Sequence, residues 1–376
     1  MSKRILVLSA SVGAGHVRAA QAVELALREL EPSAAVKNVD ILKFASAVFR
    51  RVYCQAYFDL VNCAPHAVGC IYDWLDRPPK KSNPLGERLK LLVEKLNLRP
   101  LYQLIEAEPW DLFVNTHFLP AEIIASLKRR KQVKAPQVTV TTDFATHRLW
   151  VNPPCEHYFT ATDEGALYLH SFGVPARDTS VTGIPIHPVF SRPKDRETCI
   201  RAQGLRGGRP LVLQLAGGFG IGPLEKIFQG ILSLDTPLEL VVVAGRNEEA
   251  RKKLQKIALP ARHCAKIIGF TEQIDELMAA ADLVVSKPGG LTTSEVLARG
   301  AAMAIVNPIP GQESRNSDFL LENGAAIKIN NLATLPHKLA ALLADPKRLA
   351  QLKANALSLG RPQAAFDIAR RVLAWT

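Results

Sequence analysis

A chain of 376 residues with a formal net charge of +12 has room for two ordinary domains and favours anionic partners. Its 48% hydrophobic and 22% charged residues fit a folded α/β protein and exclude a disordered or fibrous one. The longest apolar runs, such as residues 238–244, are strand-sized and far short of the ~20 residues of a membrane span. Six cysteines, Cys54, Cys63, Cys70, Cys155, Cys199 and Cys264, lack metal-ligand spacing and read as free thiols in a reducing compartment.

The first predicted element is a strand at residues 4–9, whose apolar run ends in a glycine loop and is too short for a signal peptide. The loop ASVGAGH, residues 10–16, leads into helical apolar spacing from Ala19 to Leu30. A strand, glycines and a helix start together turn backbone N–H groups toward an anion or a developing charge. Gly13 and Gly15 match part of the dinucleotide fingerprint G-x-G-x-x-G, but Arg18 stands at its third position. Asp40 could supply the acidic residue of such a nicotinamide site. His16 points to other chemistry, because a helix N-terminus keeps an imidazole neutral, as a base, a hydrogen-bond partner or a plain cap.

From Phe44 to about Tyr102 the alternation of strand and helix breaks off. The segment is aromatic at first, with Tyr72 and Trp74 among its rings, and then basic: residues 77–99 carry seven Lys or Arg against two Glu. Such an insertion suits a lipid interface or an ordinary helical cover on the sheet. A second basic run, Lys128 to Lys131 with Lys134, contains no acid. No nucleic-acid motif accompanies either run, so a membrane surface is the better anionic partner.

Strands resume at 111–115, 137–141 and 156–161. Asp143 lies just past the carboxyl end of the second, where open α/β sheets bind ligands. It could orient a base, hold an acceptor hydroxyl or cap the next segment, and Trp150 offers a flat apolar surface. Residues 182–208 read as a linker with the domain boundary near 190. The second half then repeats the opening pattern: a strand at 211–216, glycines that include Gly217 and Gly218, a helix to about 234 and a strand at 238–244.

A further strand leads into SKPGGLTTSE at 286–295. Gly289 and Gly290 allow close backbone approach, Thr292 and Thr293 are N-cap candidates, and the helix dipole favours a phosphate. Lys287 could add a direct charge, and Glu295 can reach ribose hydroxyls. NPIPGQESRN at 307–316 gathers Gln312, Glu313 and Asn316, the amide and carboxylate groups a sugar ring needs. Turn and cap chemistry would explain any one of these pieces alone.

In this order SKPGGLTTSE and NPIPGQESRN, with GAGH at 13–16, TDFATHRLW at 142–150, ATD at 161–163 and TGIPIHP at 182–188, resemble the monogalactosyldiacylglycerol synthase and diacylglycerol glucosyltransferase family, within glycosyltransferase family 28. The resemblance spans essentially the whole chain. It implies an α/β GT-B fold, two Rossmann-like domains with parallel sheets facing across a cleft. Residues 1–190 would form a lipid-acceptor domain with a membrane-facing insertion at about 44–102, residues 191–360 the nucleotide-sugar donor domain, and residues 361–376 a helix crossing back to the first domain.

Carried over residue by residue, His16 resembles the family's proposed catalytic base, with Asp143 as its support or alternative. Gly13, Gly15, His147 and Trp150 would bind the acceptor. Gly217 and Gly218 fall at the domain junction, and Gly245, Arg246, Asn247, Gly269, Phe270 and Thr271 along the nucleotide. Gly289, Gly290 and Thr292, beside Lys287, fall on the diphosphate loop, Glu295 on the ribose, and Gln312, Glu313 and Asn316 on the donor sugar.

The implied reaction is inverting transfer of a hexose, galactose or glucose, from a UDP-sugar to diacylglycerol or a related membrane glycerolipid. The UDP-sugar is a co-substrate, so no cofactor and no metal are expected, which the lack of a D-x-D motif fits. The expected setting is the bacterial cytoplasm, peripheral on the inner face of an anionic cell membrane, with no nucleic-acid partner. The alternatives are a UDP-N-acetylglucosamine-using transferase or hydrolysing 2-epimerase of the same fold, and a non-catalytic lipid- or nucleotide-sugar-binding relative.

Overall fold

The computed structural model describes residues 2–46, 51, 65–76, 98–216 and 222–375. Most of the 44–102 insertion with its basic run, and Gly217 and Gly218, lie outside the described residues. The chain forms two compact units, one of residues 1–188, 310–312 and 363–376, the other of residues 189–309 and 313–362.

Six strands build the first unit: β1 (Arg4–Ser9), β2 (Ala35–Asp40), β3 (Leu112–Asn115), β4 (Gln137–Val140), β5 (His157–Thr160) and β6 (Thr179–Val181). All pair in parallel in the order β2-β1-β3-β4-β5-β6. Its helices are α1 (Ala14–Leu30), α2 (Pro65–Leu75), α3 (Arg99–Ala107), α4 (Phe118–Arg129) and α5 (Asp163–Ser171). β1 is apolar at every inner position because both sheet faces are covered. Ile5 and Val7 share a core with Val23 and Leu27 of α1. Leu6 and Leu8, which point the other way, meet Leu101 of α3 and Ile123 and Ile124 of α4.

α1 starts at Ala14, five residues before the apolar spacing that predicts it. Its first turn buries no large apolar side chain, so periodicity cannot register it. A main-chain contact holds that turn instead, since the Thr116 hydroxyl donates to the His16 carbonyl at 2.9 Å.

The second unit repeats the plan with β7 (Leu211–Leu215), β8 (Glu239–Val243), β9 (Cys264–Ile268), β10 (Leu283–Ser286), β11 (Ala302–Val306) and β12 (Ala326–Ile329), all parallel in the order β12-β11-β10-β7-β8-β9. Helices α6 (Arg196–Ala202), α7 (Leu224–Leu232), α8 (Glu248–Gln255), α9 (Ile274–Ala280), α10 (Gly290–Ala298), α11 (Gln312–Glu322), α12 (Leu335–Leu343) and α13 (Pro346–Leu359) surround it. Phe228, Ile231, Leu240, Val242, Leu283 and Leu339 fill its core. Arg299 secures the segment entering this unit by donating to the carbonyls of Val189, Phe190 and Arg192, with Asp275 as its ion-pair partner.

α14 (Ala364–Leu373) belongs to the first unit, where Phe366, Ile368, Ala369 and Val372 enter the core that holds Ile5 and Val23. Each fully buried large apolar side chain there is worth roughly 1.5–3 kcal/mol. Two parallel α/β sheets are the fold class read from the alternating pattern. Among the described residues no helix is long and apolar enough to cross a membrane.

Both strand orders reverse direction at one place. In the first unit the chain moves from β1 outward to β2 and returns on the other side as β3; in the second β7 and β10 flank the same kind of reversal. Crevices at the carboxyl ends of such strand pairs are where open α/β sheets bind ligands.

Candidate functional site

In the first unit the loop after β1 and the loop after β3 bring two imidazoles together. His16, in the first turn of α1, and His117, the N-cap of α4, stack edge-on with ring centroids 4.5 Å apart and planes at 80°. The Nδ1 of His16 lies 3.1 Å from the Thr116 carbonyl and 2.8 Å from the Thr142 hydroxyl. A carbonyl has no proton to give, so Nδ1 carries the hydrogen and Nε2 keeps its lone pair. Burial, partly offset by the Thr116 bond, pushes the His16 pKa down to about 4, so the ring is neutral at physiological pH. Desolvation, and not the helix N-terminus named from the sequence, is the cause that keeps His16 neutral.

His117 is the mirror case. Its Nδ1 accepts from the Leu119 amide at 3.0 Å, which puts the proton on Nε2. Burial and the neighbouring His16 hold its pKa well below the usual imidazole range. Trp150 stands behind both rings, at 6.2 Å from His16 and 6.5 Å from His117 between centroids. At 2% exposed it is a wall of this cluster and offers no open apolar surface, because Phe118 and the two imidazoles already cover it.

Asp143 is buried, and its Oδ1 accepts from the Gln312 amide at 2.5 Å. The His16 nitrogen that an orienting carboxylate would take is bonded to Thr116 and Thr142 instead. His147 is 2% exposed and its bonds run inward: Nδ1 accepts from the Leu149 amide at 3.0 Å, and Nε2 donates to the Tyr72 carbonyl at 2.9 Å. It thus ties α2 to the loop after β4. The Tyr72 ring also lies over Gly311, whose φ of +90° and the 3.1 Å approach a Cβ would make to the ring both demand glycine. Gly13 is the extended N-cap of α1, and a Cβ there would meet nothing within 4 Å; Gly15 follows in the first turn. Asp40 spends its Oδ1 on the Ser11 and Leu42 amides, as a local cap.

In the second unit, α10 starts at Gly290 with Gly289 as N-cap and no side-chain cap. The expected caps, Thr292 and Thr293, lie inside the helix, and Thr293 is fully buried. Glycine can enter the helix directly, so the first turn needs no hydroxyl. The first helical bond is donated by Thr293 to Gly289, which leaves the amides of Gly290, Leu291 and Thr292 without helical acceptors. Lys287 flanks this end.

The PGQESRN segment supports the same loop. Asn316, fully buried, donates to the Pro288 carbonyl at 3.1 Å, and a Cβ on Gly289 would come 3.8 Å from Glu313 Oε1. Glu313 Oε2 accepts from the Ile309 amide at 2.7 Å, and burial raises its pKa despite the nearby Lys287. Glu295 is buried within α10.

At the carboxyl ends of β8 and β9, a Cβ on Gly269 would lie 3.5 Å from the Gly245 carbonyl, so these two loops adjoin. The Arg246 guanidinium sits 5.4 Å from the centre of the Phe270 ring, which is 59% exposed. Asn247 caps α8 by accepting from the Ala250 amide, and the Thr271 hydroxyl accepts from the Gln273 amide. Among the described residues no group of three His, Cys, Asp or Glu could hold a metal ion.

Sequence reasoning missed His117, Thr116 and Thr142. Only the pairing of β3 beside β1 brings residue 116 to residue 16, and a lone His after a short strand carries no local signal. Thr142 lay inside a noted motif, but its partner is 126 positions away.

Residues 16–186 match the family model of monogalactosyldiacylglycerol (MGDG) synthase, and residues 221–358 that of glycosyl transferases group 1. The chain is 28% identical over 382 aligned positions to a processive diacylglycerol beta-glucosyltransferase of Bacillus cereus strain AH187, covering 99% of this chain and 93% of the relative. Among solved structures, Acinetobacter baumannii MurG superimposes with a TM-score of 0.64 at 18% identity, over 99% of each chain. The UDP-GlcNAc 2-epimerase of Neisseria meningitidis, bound to UDP-GlcNAc, gives 0.59 at 14%, over 99% of this chain and 100% of that one. At such identities the two structures establish the fold alone. Along nearly its whole length the chain is thus similar to a diacylglycerol glucosyltransferase, its first half matches the monogalactosyldiacylglycerol synthase model, and its fold is that of GT-B glycosyltransferases.

Proposed function

We infer that the protein transfers a hexosyl unit from a UDP-sugar to a hydroxyl of diacylglycerol or a related membrane glycerolipid, with inversion at the anomeric carbon. The relative's name supports glucose over galactose as the hexose and diacylglycerol as the acceptor. The observation that carries the reading is the neutral imidazole of His16, with Nε2 unprotonated, beside the strand reversal of the first unit. The acceptor oxygen attacks the anomeric carbon, its proton passes to His16 Nε2, and the bond to the diphosphate breaks with its electrons on UDP. The open amides of α10 and Lys287 stabilise that departing charge. Glu295 holds the ribose, the Arg246–Phe270 pair and Gly245 border the base, and Gln312, fixed by Asp143, meets the sugar.

The same reading places the protein on the inner face of a cell membrane, held by its insertion. Trp74, 66% exposed on α2, is an apolar anchor, and the exposed Arg129, Arg130 and Lys131 at the end of α4 suit anionic headgroups. The test is incubation with labelled UDP-sugars and diacylglycerol-containing vesicles, the product resolved by mass spectrometry. A labelled glycolipid is expected. Sugar nucleotide altered without any lipid present would instead mean an epimerase, and donor binding with no turnover a non-catalytic relative.

A further inference from the structure

We propose that Thr142 is a positioning residue for His16: its hydroxyl, with the Thr116 carbonyl, fixes the imidazole as the Nδ1–H tautomer and aims the Nε2 lone pair at the acceptor hydroxyl. The proposal rests on His16 being the base.

Three observations carry it. The first is geometric, since Thr142 Oγ1 and Thr116 O both lie within hydrogen-bond reach of the same ring nitrogen, at 2.8 and 3.1 Å. Because the carbonyl can only accept, the hydrogen resides on Nδ1 and is shared between two oxygens. The second is rigidity. Thr116 is fully buried and is anchored by its amide to the Leu8 carbonyl, and its hydroxyl also holds the His16 carbonyl. Thr142 is buried too, directly after Thr141, whose amide extends the sheet ladder by donating to the Phe159 carbonyl. Both acceptors are therefore pinned to neighbouring strands of one sheet.

The third is the division of labour within the loop. Here Thr142 turns to His16 while Asp143 turns to Gln312. The carboxylate usually invoked to orient a histidine is thus committed elsewhere, and a neutral hydroxyl takes its place. The substitution has a chemical consequence. A carboxylate at Nδ1 would stabilise the imidazolium, whereas a hydroxyl and a carbonyl fix the tautomer and leave the ring reluctant to hold a second proton. His117 stacks edge-on against the same ring at 4.5 Å.

The experiment combines kinetics with nitrogen-15 NMR of the imidazoles in the full-length protein, the His16 signals assigned by their loss in His16→Ala. Wild type should show Nδ1 protonated and Nε2 unprotonated at neutral pH. Thr142→Val, isosteric but without the hydroxyl, should lower kcat about tenfold, with the KM for the UDP-sugar unchanged, and should shift the Nδ1 signal as one of its two acceptors is lost while Thr116 keeps the hydrogen on Nδ1. Thr142→Ser should restore both. A wild-type Nε2–H tautomer, full kcat in Thr142→Val, or a Ser variant as impaired as the Val variant overturns the proposal. Near-normal turnover in His16→Ala would instead remove the base reading beneath it, while the tautomer measurement would still report on the hydrogen bond itself.

Discussion

The two units place the same device beside the reversal of their sheets, after the first strand in one and after the fourth in the other, and furnish it differently. α1 and α10 each follow a strand at the reversal of their sheet, and each begins on a glycine N-cap with no side-chain cap. The third helical position is His16 in one and Thr292 in the other. Around His16 the protein gathers neutral groups, namely Thr116, Thr142, His117 and Trp150. Around Gly289 it sets Lys287 and a buried carboxyl, beside first-turn amides that have no acceptor within the helix. A bare helix N-terminus is thus a generic seat. Its neighbours decide whether it lies beside a buried neutral imidazole or presents the surroundings that suit an anion.

The sharpest way to break this comparison is to exchange the roles. His16→Ala should lower kcat by about 10²–10⁴, the span of general-base catalysis, with UDP affinity little changed. Steady-state kinetics beside UDP titration decides it, and near wild-type turnover would falsify the assignment. Glu295→Ala should do the opposite, weakening donor binding by roughly 10–100-fold through a lost charge-assisted hydrogen bond. If UDP affinity is untouched in that variant, Glu295 is not the ribose ligand.

A third prediction concerns the first unit's core. Phe366→Ala should cost about 3–5 kcal/mol by cavity formation in the first unit. Hydrogen exchange resolved by peptide would report the loss around β1 and α1, with the second unit's core little affected.

Acid should separate the units more gently. His16 and His157 have pKa values lowered to about 4, and that of His117 lies well below the usual range, chiefly through burial. The unfolded chain binds these protons near the ordinary 6.5 and the folded chain resists them, so stability is lost as pH falls from 6.5 toward 4. In the second unit the single His263 shift has the same sign, while Glu313, raised by burial, contributes stability below its unfolded pKa that is lost as pH rises. Unfolding of the first unit should therefore begin at the higher pH on acidification. Equal acid sensitivity of both units by peptide-resolved exchange would contradict this.

Much of the architecture could be read in advance for a simple reason. A strand buried on both faces is a short continuous apolar run, and LVLQL, ELVVV and the run leading into Ser286 announce themselves as such. The edges were harder. α1 began early because its first turn is held by main-chain contacts, and α10 took a glycine cap where hydroxyls suggested themselves. At the candidate sites the motif residues were legible, but their partners were not. Asp143 looked like a partner for His16, yet it bonds Gln312, and Trp150 looked like an open platform, yet it is enclosed.

The sequence by itself determined the alternation of apolar strands and amphipathic helices, the glycines at two helix starts, and a histidine at one of them, because these depend on local geometry and period. Only the tertiary structure decided that Thr116 and Thr142 would meet His16, that His117 would stack against it, and that Asn316 would bind the loop at Pro288. Those contacts join residues from 28 to 126 positions apart. They exist because parallel strands lay the ends of distant segments side by side, and no periodicity along the chain encodes which ends those are.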